Sequence, residues 1–146
     1  MATPVTTEVA WIGLGANIGH RGQALARLRD ELVRRGLVID AASSEIYTRA
    51  VGLPGQPDYH NQVIRVHSEG PLTPDEWLRL LKDAEAGAGR KPTYRWGPRR
   101  ADADILLLGP KGDIGVDEPD LVVPHPRLHE RPFLVRLLAE LGMTAP

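Results

Sequence analysis

The order of its hydrophobic periodicities constrains this chain more than any other feature. Residues 8–14 form a short continuous apolar run that reads as a buried strand. Leu25, Leu28 and Leu32 then share one face of a helix spanning about residues 20–35, with Gly36 as its stop. Residues 37–47 and 61–67 read as two further strands. The Gly- and Pro-rich loop between them lets them pair as a long-looped hairpin. A second helix starts at Thr73-Pro74-Asp75-Glu76, where Thr caps, Pro takes the first position and Glu stands three residues after the cap. It runs to Ala88, with Trp77, Leu80, Leu81 and Ala84 on its buried face and Gly87 and Gly89 at its end. The run beginning at Ala101 supplies the last core strand.

Strand, helix, strand, strand, helix, strand is the split pattern of an α+β domain. The expectation is a ferredoxin-like β-α-β-β-α-β core, with an antiparallel sheet flanked by helices. Residues 109–120 read as turns, followed by a short apolar run at 121–123. Pro126 and Pro132 each suit the first turn of a helix, so the remainder reads as two short helical pieces, a C-terminal helical addition. At 146 residues the chain is expected to form a single domain, 1–146, large enough to bury a core. No repeat or linker interrupts it.

The chemistry concentrates between Arg95 and Leu108. Alternation along a strand sets Asp102 and Asp104 on one face and Ala101, Ala103 and Ile105 on the other. Carboxylates two residues apart on a strand lie about 6–7 Å apart and can converge on one ligand. Mg²⁺ suits them, since it takes one or two carboxylates together with substrate phosphates. Arg95, Arg99 and Arg100 just upstream could hold those phosphates with forked guanidinium groups. Spacing alone leaves a second reading equally open, a solvated strand face beside ordinary surface arginines.

Other features narrow the classes. A net charge of −1 gives no reason to expect a polyanion-coating protein, so any anion site must be local. The absence of cysteine excludes disulfides, thiolate metal sites and a cysteine nucleophile. The first residues lack the basic and apolar regions of a secretory signal, and no apolar run is long enough to span a bilayer. A cytoplasmic protein is expected. Gly13, Gly15 and Gly19 around Asn17 read as a tight strand-to-helix turn, without the spacing of a phosphate-binding loop. His125 and His129 stand four apart, but no third ligand lies at motif distance and Pro126 intervenes, so a zinc site is set aside. Glu85 sits at the edge of the buried helix stripe, where an acid either reaches solvent or serves a site.

Several segments occur together and in order: Tyr47 to Gly52, Gln56-Pro57-Asp58-Tyr59-x-Asn61, Arg95-Trp96-Gly97-Pro98-Arg99-x-x-Asp102-x-Asp104, and Pro124-His125 followed by Arg131-x-Phe133. With Gly15-x-Asn17, this set resembles the 6-hydroxymethyl-7,8-dihydropterin pyrophosphokinases of folate biosynthesis over about residues 8–140. The resemblance implies transfer of pyrophosphate from ATP to the hydroxymethyl group of the pterin, with AMP released. It implies Asp102 and Asp104 as ligands of two Mg²⁺ ions, and Arg90, Arg95 and Arg99 as catalytic phosphate-contacting residues. Lys82, Glu85, Arg95, Trp96, Arg99, His125 and Arg131 are implied at the nucleotide. Gly52, Tyr59, Asn61, Trp96, Asp102 and Phe133 are implied at the pterin. The loops at 48–58 and 90–95 correspond to mobile lids. The implied partners are the two small molecules, without nucleic acid or membrane, and a monomer is expected. An RNA-binding ferredoxin-like module and a catalytically degenerate relative are the competing readings. The first conflicts with the near-neutral charge and paired aspartates, the second with the intact acidic and basic residues.

Overall fold

The computed structural model describes residues 5–17, 23–48, 59–89 and 101–146. Its first strand, β1 (Thr7–Asn17), is longer than the apolar run that announces it. Gly13 and Gly15 therefore lie inside a strand, and the expected glycine turn around Asn17 is corrected; Gly19 falls outside the described residues. A strand glycine marks a close approach. A Cβ on Gly13 would come within 3.3 Å of Leu106.

Helix α1 (Gln23–Arg34) buries Leu25, Leu28 and Leu32 as expected. Gly36 follows with φ +98°, the left-handed conformation that ends helices. The single strand expected over 37–47 is instead two, β2 (Val38–Ala42) and β3 (Ile46–Thr48). Buried Ser43 separates them. Its N–H donates to the Val63 carbonyl (2.8 Å), and its hydroxyl accepts from the Val63 N–H (2.9 Å). A side chain thus replaces a backbone rung and the ladder is interrupted between β2 and β3. Ser44 gives both its N–H and its hydroxyl to Glu140. Both segments pair antiparallel with the long β4 (Tyr59–Leu72), as the hairpin reading requires.

Helix α2 (Pro74–Ala88) carries the expected capping box: the Thr73 hydroxyl accepts from Glu76 N–H, and Glu76 returns the bond to Thr73 N–H. Trp77, Leu81 and Ala84 are buried, whereas Leu80 is half-buried. The Trp77 indole donates to the Thr7 carbonyl at 3.0 Å, which satisfies the polar end of a fully buried ring. Strand β5 (Ala101–Leu108) completes the sheet. The expected turn region after it contains a hairpin, β6 (Val116–Glu118) with β7 (Leu121–Val123), closed by Pro119 and Asp120. One apolar residue in β6 is too weak a pattern to reveal a strand. A 3-10 turn (Leu128–Glu130) and helix α3 (Pro132–Glu140, Pro132 in its first turn) supply the two short helical pieces.

The strand order is β2-β4-β1-β5, with β3 continuing along β4, and every pairing is antiparallel. This is the α+β, ferredoxin-like arrangement. Helices α1 and α2 cover one face, packing Leu28, Leu32, Trp77 and Leu81 on Ile12, Leu14, Ile64 and Ile105. The 3-10 turn and α3 cover part of the other through Leu128, Leu134, Leu137 and Leu138 against Trp11, Val63 and Leu106. Helix α3 leaves one end of that second face open among the described residues. Among the described residues, no helix is long and apolar enough to cross a membrane.

Candidate active site

The open end is built around β1. Directly opposed residues of an antiparallel pair share a face. Gly15 faces Asn61 of β4 on one side and Asp102 of β5 on the other, while Gly13 faces Val63 and Asp104. The two glycines remove the side chains that would otherwise fill the middle of this face. A trough results, with Asn61 and Asp102 two strand spacings apart, about 9–10 Å. Above it lies a cavity of about 570 Å³ lined also by Thr48, Tyr59, Leu106, Arg127, Arg131, Phe133 and Leu134.

The Asp strand behaves as its alternation requires. Asp102 and Asp104 are exposed, while Ala101, Ala103 and Ile105 are buried against the helices. Asn61 is buried, and its Nδ2 donates to Thr48 Oγ1 at 2.8 Å and, more weakly, to the Tyr59 carbonyl at 3.5 Å. Its Oδ1 lies over Gly15, 3.4 Å from where a Cβ would stand. Phe133, in the first turn of α3, and the partly exposed Tyr59 give the cavity aromatic surface.

Two further groups meet β5 at its outer edge. Glu85 of α2 accepts the Ala103 N–H at 2.7 Å, so its carboxylate caps the edge between the two aspartates. Burial pushes the Glu85 pKa up, against the Ala103 hydrogen bond, with Asp102 adding to the rise. The His125 N–H donates to the Leu106 carbonyl at 3.0 Å, and the Arg127 N–H donates to His125 Nδ1 at 3.2 Å. In neutral His125 that bond leaves the proton on Nε2. Burial holds the His125 pKa down, while Asp104 opposes the shift. His129, the other member of the spaced pair, contacts the carbonyl of Pro146 instead.

Among the described residues, no cluster of three or more metal-ligating side chains is present. The two exposed carboxylates of β5 still fit a hard divalent cation that takes the rest of its shell from substrate oxygens and water.

A family model described as 7,8-dihydro-6-hydroxymethylpterin-pyrophosphokinase matches residues 11–143. The chain belongs to this family. It is 37% identical to the 2-amino-4-hydroxy-6-hydroxymethyldihydropteridine pyrophosphokinase of Bacillus subtilis, over 92% of this chain and 78% of that protein. The protein of the same name from Synechocystis is 36% identical, over 95% of this chain and 69% of its own length. A folate synthesis bifunctional protein of Chlamydia muridarum is 36% identical over 93% of this chain, which spans 31% of that longer protein.

Of the residues expected at a pyrophosphokinase site, Tyr59, Asn61, Asp102, Asp104, Arg131 and Phe133 come together in the cavity. Glu85 and His125 adjoin it through β5. Lys82 is exposed and does not line the cavity; its described link is its charge acting on Glu85. Gly52, Arg90, Arg95, Trp96 and Arg99 lie outside the described residues. Sequence reasoning missed Arg127, and it missed Gly13, Leu106 and Leu134 as lining. The signal for Gly13 was available, since two glycines two apart inside an apolar run share a strand face.

Proposed function

We propose that this chain is a 6-hydroxymethyl-7,8-dihydropterin pyrophosphokinase that transfers the terminal pyrophosphoryl unit of ATP to the hydroxymethyl oxygen. The new bond joins that oxygen to the β-phosphorus. The bond from the β-phosphorus to the oxygen bridging it to the α-phosphorus breaks, AMP departs and the hydroxyl proton is lost. The observation that carries the reading is the glycine trough of a family member, with an amide and aromatic rings on one side and paired carboxylates on the other.

A flat heterocycle fits against Phe133 and Tyr59, and the Asn61 amide pairs with its polar edge. The pterin edge then points its hydroxymethyl arm along the trough toward Asp102. Asp102 and Asp104 are the residues that would hold two Mg²⁺ ions. When bound, such ions supply charge neutralisation and alignment of the phosphate chain. Arg131 and His125 face the phosphates as donors. Arg90, Arg95 and Arg99 are proposed to contact the phosphates, and Trp96 to contact both substrates. Lys82 and Glu85 stand at the nucleotide side and Gly52 at the pterin side. Asp102 or Asp104 could accept the proton. The reaction needs neither nucleic acid nor membrane, and a cytoplasmic monomer suffices.

The deciding experiment is nucleotide analysis of the purified chain with ATP, Mg²⁺ and the hydroxymethyl pterin. AMP should form only when all are present, and chelation of the divalent ion should abolish it. Nucleotide breakdown independent of the pterin, or ADP as the product, would overturn the reading. Absence of turnover with intact ligand binding would favour the degenerate relative.

A further inference from the structure

Arg127 lines the cavity, and nothing in the residue pattern gave it a task. Its backbone is tethered to the acidic strand by two hydrogen bonds in series. The Arg127 N–H donates to His125 Nδ1 at 3.2 Å, and the His125 N–H donates to the Leu106 carbonyl at 3.0 Å, two residues beyond Asp104. The 3-10 turn then carries the chain to Arg131, whose N–H donates to the Leu128 carbonyl at 3.0 Å. Arg127 and Arg131 therefore flank one short turn and line the same cavity as Asp102 and Asp104. The His125 imidazole registers this proximity. Beyond the dominant effect of burial, Asp104 raises its pKa while Arg131 and Arg127 lower it.

The side chain of Arg127 is not locked into a structural role. Among the described residues its ion pair is with Glu130 at 3.5 Å, and both side chains are more than 60% exposed (63% and 64%). Such a pair contributes little and leaves the guanidinium available. A polyphosphate whose bridging bond is breaking carries negative charge on both halves. Cations on the aspartate side address that charge from one direction only. A forked guanidinium in the same cavity can hold two oxygens at once.

We infer that Arg127 is a second guanidinium for the phosphate chain of the nucleotide, acting beside Arg131 in the cavity that Asp102 and Asp104 also line. This deepens the proposed function and rests on it.

The test uses the full chain, R127Q and R127K, with a non-hydrolysable ATP analogue plus Mg²⁺ and, separately, the pterin as calorimetric probes. R127Q should weaken analogue binding about tenfold and flatten its salt dependence, because a charge-assisted bond to phosphate is lost. Its pterin affinity should stay within about twofold, and R127K should fall between R127Q and the unsubstituted chain. Analogue binding by R127Q within about twofold of the unsubstituted chain would overturn the inference, as would parallel loss of both ligands or an R127K no better than R127Q. The two readings separate cleanly. If the unsubstituted chain makes no AMP yet binds the analogue through Arg127, the reaction falls and the residue stands. If it does not bind the analogue, both fall.

Discussion

The second face of the sheet has two ends, and the same strands treat charge oppositely at each. At the far end β1 presents Trp11, whose indole donates to the Gly109 carbonyl at 2.9 Å and carries Arg65 stacked 5.4 Å above it. Asp40 there is paired twice, with Arg65 at 2.6 Å and His67 at 2.8 Å. At the open end β1 presents Gly13 and Gly15, and the acids Asp102 and Asp104 are exposed on a cavity. One end spends its volume on a ring and closes its charge internally. The other withholds side chains and turns its carboxylates toward a space a ligand can fill. Charge paired within the sheet and charge set on a cavity are told apart by what β1 puts beside them.

The largest expected break between the two ends is in turnover. Asp102→Ala or Asp104→Ala should lower pterin-dependent AMP formation by about 10³-fold or more, since cation-assisted charge stabilisation is worth several kcal/mol. Asp40→Ala, at the closed end, should leave turnover near that of the unsubstituted chain while lowering the melting temperature. Steady-state rates for the three variants check this together. A near-normal rate for either β5 variant would remove the distinction at its root.

Filling the trough should have a smaller and more selective effect. A Cβ on Gly13 meets Leu106 at 3.3 Å and one on Gly15 meets the Asn61 amide oxygen at 3.4 Å. Alanine at either position is nearly tolerated, but valine would fill part of the cavity. In Gly15→Val, a valine that excludes the pterin from the proposed trough at a cost of about 1.4–2.8 kcal/mol should raise the pterin KM about 10- to 100-fold. The melting temperature should move little, because the trough is open rather than core. An unchanged pterin KM would mean that the glycines serve strand packing alone.

Thr48 gives a finer probe of the same floor. Thr48→Val removes the acceptor of the Asn61 Nδ2–H bond and leaves a buried donor with only the Tyr59 carbonyl at 3.5 Å. A neutral hydrogen bond is worth about 1 kcal/mol net, so the pterin KM should rise about fivefold, with the serine variant recovering it. Equal KM values for all three chains would detach Asn61 from pterin recognition.

How much of this was legible in the residues follows from the kind of signal each feature sends. Thr73, Pro74 and Glu76 mark a helix start because capping is local, and Asp102 and Asp104 share a face because strand periodicity is local. The split at Ser43 was hidden, since nothing near it in sequence announces that its hydroxyl will bond to residue 63 across the sheet. The role of Gly13 and Gly15 is hidden for a related reason. Glycine is as much a turn signal as a sign of close approach, and only the pairing with β4 and β5 decides between them. Arg127 sends no signal because exposed arginines are common and its tether to the His125 ring starts from its backbone N–H.

The smallest effect belongs to the closed end and concerns pH. Burial raises the Asp40 pKa, but hydrogen bonds from Arg65 and His67 more than offset this, and the net shift is downward. A carboxyl whose folded pKa lies below its unfolded value of about 3.9 binds fewer protons when folded. Its stabilisation is therefore present above that unfolded value and is lost as pH falls through the lower, folded one. With the pair on the surface, the contribution should not exceed about 1 kcal/mol. Asp40→Asn should be slightly less stable than the unsubstituted chain at pH 6, and denaturant unfolding at successive pH values should show the gap closing below pH 4, as expected for a carboxyl near 3.9 when unfolded. A gap that stays constant to the acid end would mean that Asp40 acts by shape rather than charge, and the closed end would then owe its order to Trp11 and Arg65 alone.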